Sequence, residues 1–176
     1  MTARSPLTEV PVNTSFLQST KFQFSFPTLP FLRYFVQGLS IPGVSTTAPS
    51  VPSPFATMYR HGDTLVFDPL TVTVVIDEDL RVWEETYKWL VALTKPQNFR
   101  QYIRTINGNE TPYHDGILTM LTNANIPNIR YKFTFCHPLS ISAIQFTPSD
   151  SADVILTADI VFRYDQMEIE RLPITS

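Results

Sequence analysis

Residues 65–83 read LVFDPLTVTVVIDEDLRVW, and this stretch decides the fold. Over residues 70–76 successive side chains point to opposite sides of an extended chain, and nearly all of them are β-branched, which is typical of a strand. The strand runs directly into the acidic step at residues 77–79. Asp77 or Asp79 is a candidate N-cap there, because a short carboxylate accepts hydrogen bonds from the free N–H groups of a helix start. The stretch therefore predicts a strand followed at once by a helix.

The helix predicted at about residues 79–94 is apolar over an unusually wide arc. On a 3.6-residue wheel, two neighbouring apolar stripes together span roughly half of the circumference, compared with about 100° for an ordinary surface helix. The first stripe consists of Leu80, Trp83, Tyr87, Leu90 and Val91, and the second consists of Val82, Trp89 and Leu93. Either another copy of the chain covers this arc, or the helix is sunk in its own core. In both cases the helix serves packing.

Composition excludes several classes of function. The chain has 176 residues, enough for one domain, with 43% hydrophobic and 16% charged residues. Its net charge of −3 argues against electrostatic capture of nucleic acid or of an anionic membrane. No apolar run reaches the roughly 18 residues of a membrane helix. The N-terminus has no apolar signal region, so we expect synthesis in a cytosol-like compartment.

The 15 prolines, set against 5 glycines, organise the N-terminal third of the chain. Residues 1–17 are predicted to form an extended arm, and residues 18–176 a single domain that carries a second, proline-rich arm at residues 40–63. Loops of this length in a compact domain are usually functional or disordered, and its apolar side chains argue against disorder. We therefore expect this second arm to dock on another surface. Its apolar members are Val51, Phe55, Met58 and Tyr59.

The remaining pattern predicts a mainly β fold. Besides residues 70–76, strands are expected at residues 20–26, 32–39, 116–121, 128–136, 140–146 and 153–165. About seven mostly antiparallel strands around one flanking α-helix indicate a β-sandwich or β-barrel.

No group of residues predicts catalysis or metal binding. Cys136 and His137 are neighbours on a predicted strand, so their side chains point to opposite faces and cannot act as a pair. His61 and His114 share no metal-ligand spacing with His137. No glycine-rich phosphate-binding motif occurs. We therefore expect no catalytic residue, no metal, no cofactor and no enzyme activity.

Between residues 67 and 89 the chain resembles the tail tube proteins of contractile-tailed bacteriophages. In that family an Asp-bearing turn leads into a Thr-Val-Thr-Val strand, an acidic Asp-Glu step and a helix with aromatic positions. The same order occurs here at Asp68, residues 71–74, residues 77–78 and the helical Trp83 and Trp89. The resemblance extends over roughly residues 20–165, and the segment just described is its distinctive part.

The resemblance implies a non-enzymatic virion protein that assembles into a hexameric ring. In the family, the sheets of neighbouring copies join into one barrel around a channel, and rings stack into a tube through which DNA passes. The implied partners are further copies, neighbouring rings of the tail tube or baseplate, sheath subunits and genomic DNA that passes without specific binding; no membrane partner is expected. Synthesis would occur in the cytoplasm of the host bacterium. The proline-rich arm and an extra segment at residues 96–111 depart from a plain tube subunit and leave room for a specialised ring, such as the baseplate ring that initiates the tube.

Two sets of residues follow as site predictions. The inter-subunit interface is predicted to contain Val51, Phe55, Met58, Tyr59, Trp83 and Trp89. The channel-facing side chains are predicted to be Asp159, Arg163 and Asp165, with the opposite face of the sheet as an equal alternative.

An alternative from another class is a monomeric β-barrel that binds a small apolar ligand, because the high aromatic content suits a cavity. Electron microscopy distinguishes the two hypotheses, since only the first predicts rings or filaments with a central channel.

Overall fold

The computed structural model describes residues 15–27, 29–94, 112–147 and 154–173, and the fold is mainly β with one main helix. The helices are α1 (Leu32–Phe35) and α2 (Arg81–Leu93). The strands are β1 (Phe22–Ser25), β2 (Val36–Ser40), β3 (Val44–Thr46), β4 (Ser50–Val51), β5 (Met58–Tyr59), β6 (Leu65–Phe67), β7 (Leu70–Val75), β8 (His114–Leu121), β9 (Pro127–Ile141), β10 (Thr157–Arg163) and β11 (Gln166–Arg171). Most of the predicted N-terminal arm and the extra segment at residues 96–111 lie outside the described residues.

Within the described residues, seven strands form one antiparallel sheet in the order β1-β8-β9-β10-β7-β2, with β11 also paired to β9. The long strand β9 divides this sheet into two parts. Its first part pairs with β8 and β11, and residues 137–141 pair with β10. We call β1, β8, β11 and the first part of β9 the first layer, and β2, β7, β10 and residues 137–141 the second layer. This architecture confirms the predicted mainly β, antiparallel class.

The core lies between the two layers and is filled by aromatic and branched side chains. On β7 the predicted alternation is confirmed, because Leu70, Val72 and Val74 are fully buried while the residues between them are only half-buried. Phe26, just after β1, contacts Phe162 of β10 with ring centroids 4.9 Å apart, which joins the two layers.

Helix α2 begins at Arg81, and its start differs in detail from the prediction. The N-cap position is Leu80, in a left-handed conformation with φ of 54°, and its side chain makes no capping hydrogen bond. The backbone N–H of Arg81 donates instead to the carboxylate of Asp77 at 3.2 Å. Asp79 forms an ion pair with the Arg81 guanidinium at 2.8 Å. Asp77 thus supplies the carboxylate at the helix start, although from three positions before the N-cap.

Two predicted strands are wrong in part. Residues 32–39 were expected to be one strand, but the chain first forms the single helical turn α1, which buries Leu32 completely, and only then β2. A separate strand was expected at residues 140–146. Instead β9 continues through Ile141 and changes partner from β8 to β10. Phe135, with a left-handed φ of 55°, lies at the irregularity in the pairing with β8 that precedes this change.

Strand β11 was not predicted, because only two apolar residues, Met167 and Ile169, alternate with its polar and charged side chains. It pairs with β9 from Gln166↔Thr134 to Arg171↔Ile129. The last predicted strand, residues 153–165, is shorter in the structure and corresponds to β10. None of the described helices has the length and apolarity needed to cross a membrane.

Candidate assembly surfaces

The proline-rich arm forms a β-hairpin. Strand β3 pairs with β6 and strand β4 pairs with β5, so the hairpin extends over residues 41–67 and is slightly longer than the predicted arm. A backbone hydrogen bond lies beside each of the two strand pairs. Next to β4 and β5, Arg60 N–H donates to Pro49 O at 3.0 Å, and next to β3 and β6, Asp68 N–H donates to Gly43 O at 3.0 Å. We call residues 41–67 the hairpin arm.

The tip of the hairpin arm is apolar and exposed. The Phe55 side chain is 99% exposed and Tyr59 is 72% exposed, while Val51 and Met58 are also exposed. No charged residue occurs from Val44 to Tyr59. A lone exposed apolar residue needs no explanation, but a contiguous exposed apolar segment is typical of an interaction site.

The two tryptophans of α2 have different environments. Trp89 packs against Phe26, Phe162 and His114, and its indole N–H donates to the Pro112 carbonyl at 3.0 Å. The Trp89 indole N–H is therefore satisfied within its own fold, and its ring is packed there.

Trp83 lies at the surface side of the same helix. Its ring stacks on Tyr87 with centroids 5.4 Å apart and an interplanar angle of 8°. Its buried indole N–H has no hydrogen-bond partner in the described part of the chain. Trp83 is half-buried and its stacking partner Tyr87 is exposed, so this part of the helix keeps apolar surface that a second copy could contact.

The predicted channel-facing residues do not share one position. Asp159 and Arg163 alternate with the buried Ala158, Ile160 and Phe162, so both project from the outer face of the second layer. Asp165 lies instead in the turn between β10 and β11.

Asp159 is held in a polar arrangement on that outer face. The hydroxyl of Thr73, on the neighbouring strand β7, donates to its carboxylate at 2.6 Å. The backbone N–H of Asp159 donates to the Ser142 hydroxyl at 2.8 Å. The outer face of the second layer therefore presents a fixed carboxylate among hydroxyl groups.

Cys136 is buried in the core. Desolvation by burial raises the pKa of the Cys136 thiol from 9.0 to about 12, so the reactive thiolate is suppressed at neutral pH. Among the described residues, no three His, Cys, Asp or Glu side chains lie together as a metal site requires.

The raised pKa of Cys136 predicts a pH dependence of stability. Below pH 9 the thiol is protonated in the folded and unfolded chains alike. Between pH 9 and about 12 only the unfolded chain ionises, so this thiol lowers the free energy of unfolding by about 1.4 kcal/mol per pH unit. Urea unfolding of the wild type and of Cys136→Ala at pH 8 and pH 10.5 checks this. The wild type loses more stability over that interval, and equal losses would contradict the assignment.

Comparison with known proteins gives a consistent result. No family model matches the chain. The tail tube terminator protein of Enterobacteria phage T4 is 25% identical over 139 residues, which cover 75% of this chain and 76% of that protein.

Two solved structures share the fold. The tube-terminating cap of the anti-feeding prophage has a TM-score of 0.66 at 11% identity, over 96% of this chain and 100% of that one. The sheath/tube terminator of an extracellular contractile injection system has a TM-score of 0.52 at 12% identity, over 93% of this chain and 99% of that one. The resemblance to contractile tail tube proteins is thus confirmed, by the sequence similarity to the phage T4 protein and by the fold shared with these two solved structures.

Proposed function

We propose that this chain is a non-enzymatic structural subunit that forms a ring closing the end of a contractile tail tube. The observation that carries the proposal is the hairpin arm, an apolar projection that its own fold leaves exposed. The similarity to a phage tail tube terminator over three quarters of the chain, and to a tube-terminating cap over nearly all of it, supports the end of the tube as its position.

The free edges of the second layer support a ring of identical copies. In the described part of the chain, β2 pairs only with β7, and residues 137–141 pair only with β10. Neither edge contains Asp, Glu, Lys or Arg, whereas the edge strand β11 carries Glu168, Glu170 and Arg171. Charged side chains are one of the devices that protect sheet edges from pairing, and both edges of the second layer lack them. Pro138 removes one N–H donor from the edge at residues 137–141, and the remaining backbone groups of the two edges stay available to a neighbouring copy.

The direction of the strands also suits a ring. The second layer has four strands that alternate in direction, so a head-to-tail neighbour of the same orientation presents an antiparallel strand to the free edge. A head-to-tail interface closes into a ring when its rotation fits. We propose six copies per ring, as the tail tube resemblance implies.

In such a ring the outer face of the second layer lines the channel. Asp159 and Arg163 then face the lumen with Thr73, while Asp165 lies at the rim of the sheet. DNA binding requires cations that neutralise phosphates, and the net charge of −3 is unfavourable for it. The lumen would therefore let DNA pass without holding it.

The proposed partners are further copies of the chain, the last ring of the tail tube and subunits of the surrounding sheath. The chain is then a component of the virion tail or of a related injection particle. The terminator similarity favours the end of the tube over the baseplate ring as the position of this specialised ring.

A tube-growth assay tests the proposal. Tube subunits of the cognate tail are polymerised with increasing amounts of this protein, and tube lengths are measured by negative-stain electron microscopy. We expect lengths to fall as the ratio of this protein to tube subunit rises, with a cap of density at one end. Unchanged lengths and bare ends at equimolar ratio would contradict a terminating role.

A further inference from the structure

We infer that the groove between β1 and β2 receives the proline-rich tip of the hairpin arm from a second copy of this chain. The inference rests on the proposed function for the presence of neighbouring copies. It adds the surface on which the arm docks.

The groove opens between two edge strands. It has a volume of about 680 Å³ and is lined from β1, from α1 and from β2. In the described part of the chain, β1 pairs only with β8 and β2 only with β7, so no strand closes the gap between them. Its lining includes Phe22, Gln23, Arg33, Tyr34, Val36 and Leu39.

The groove has apolar walls and a polar rim. Phe22, Val36 and Leu39 supply apolar surface, and the Tyr34 ring stands at the opening with 81% of its surface exposed. The Arg33 guanidinium faces the side-chain amide of Gln23 and donates to its oxygen once that amide is turned to point the oxygen at it, so this charge has a partner at the rim in its own fold. The site therefore suits a neutral segment that combines apolar side chains with backbone carbonyls.

The tip of the hairpin arm has that chemistry. Pro49, Pro52 and Pro54 lie within six residues, Phe55 follows them, and the segment carries no charge that docking would desolvate. Proline-rich segments are already extended, so they lose little conformational entropy when they dock in aromatic-lined grooves.

The tip does not fill the groove of its own copy. Phe55 and Tyr59 are exposed, and Tyr34 at the groove opening is exposed as well. The volume of the groove lies in the range of about 300–1,000 Å³ that holds a small ligand, which suits a few residues of the tip and not the whole hairpin.

Ring closure leaves the groove accessible. If the second layers of six copies join, each copy turns by one sixth of a circle relative to the next. Because packed layers lie about 10 Å apart, the first layers of neighbouring copies are then separated by about 10 Å more than the second layers, roughly two strand spacings. The gap between the first layers of neighbouring copies opens at the β1–β2 groove and is wide enough for an extended segment.

Cysteine cross-linking between separate copies tests the inference. Tyr34→Cys protein is mixed with Ala56→Cys protein, which carries the thiol at an exposed position beside the intact Phe55 ring. The mixture is oxidised with copper-phenanthroline, and the heterodimer is quantified by mass spectrometry. The matched control replaces Tyr34→Cys by Ile169→Cys, which puts the thiol at an exposed apolar position on the charged edge strand β11. Since Cys136 is buried, it does not compete.

We expect the heterodimer linked through positions 34 and 56 to form at least tenfold faster than the control. A peptide of residues 48–59 should slow it, and the same peptide with serine at position 55 should not. Equal rates for the two pairs would overturn the inference, even if the protein still shortens tubes. Selective cross-linking by a protein that leaves tube length unchanged would instead remove the proposed function and keep the docking site.

Discussion

We expect Phe55→Asp protein to fold normally and to lose its effect on tube length. The side chain is fully exposed in the isolated chain, so its replacement leaves the midpoint of thermal unfolding within about 1–2 °C of the wild type. Docking of the arm buries the ring, and burial of a large apolar side chain contributes about 1.5–3 kcal/mol. Its loss therefore weakens each contact about ten- to hundredfold, and a ring repeats the contact in every copy. Titration in the tube-growth assay measures the effect.

Ile169→Asp is the matched control for this prediction. Ile169 is also an exposed apolar residue, 59% accessible, but it lies on β11, whose edge carries charged side chains and for which we propose no partner. The control should shorten tubes as the wild type does. If neither Phe55→Asp nor Ile169→Asp shortened tubes, or if both still did, a specific role of the hairpin arm would be contradicted.

Phe162→Ala has the largest expected effect on stability. Phe162 is fully buried and contacts Phe26 from the opposite layer and Trp89 from α2, with ring centroids 4.9 Å and 6.2 Å away. Truncation of a buried phenylalanine costs about 3–5 kcal/mol, a large share of the 5–15 kcal/mol that stabilises a typical domain. Urea unfolding followed by tryptophan fluorescence measures the loss.

A substitution at an exposed aromatic residue is the control for Phe162→Ala. Tyr34→Ala removes a ring that contributes little to the isolated fold, so its free energy of unfolding should stay within about 0.5 kcal/mol of the wild type. If Phe162→Ala were equally mild, the two layers would not be joined through this side chain.

Local periodicity predicted the elements that pack through a simple repeating face. The alternation at residues 70–76 predicted β7 and its buried Leu70, Val72 and Val74. The acidic step and the apolar arc predicted the start of α2 to within two residues. These features depend on neighbours along the chain, so they can be recognised without the tertiary structure.

Features that depend on distant contacts were not predictable. The turn α1 is only four residues long and is stabilised by burial of Leu32 in the core. Continuation of β9 through Pro138 was unexpected, because proline is tolerated only at edges and irregularities of a sheet, and this strand reaches an edge at that point.

The candidate assembly surfaces also combine features that local sequence predicts with features that depend on distant contacts. Exposure of the arm tip follows from its composition, whereas its pairing as a hairpin requires contacts between residues up to 23 apart. Trp83 and Trp89 could not be distinguished on the helical wheel, because both lie in one wide apolar arc. Both rings are half-buried in the structure, and only the packing of Phe26, Phe162 and Pro112 around Trp89 distinguishes it from Trp83, which stacks on Tyr87.

Cryo-electron microscopy of tube ends formed in the presence of this protein tests the central claim most directly. The account predicts one ring of six copies at a tube end, with an open central channel, the second layers joined into one barrel and every hairpin arm buried against another subunit. Tube ends without this protein, or a bound copy whose hairpin arm remains in solvent, would contradict it.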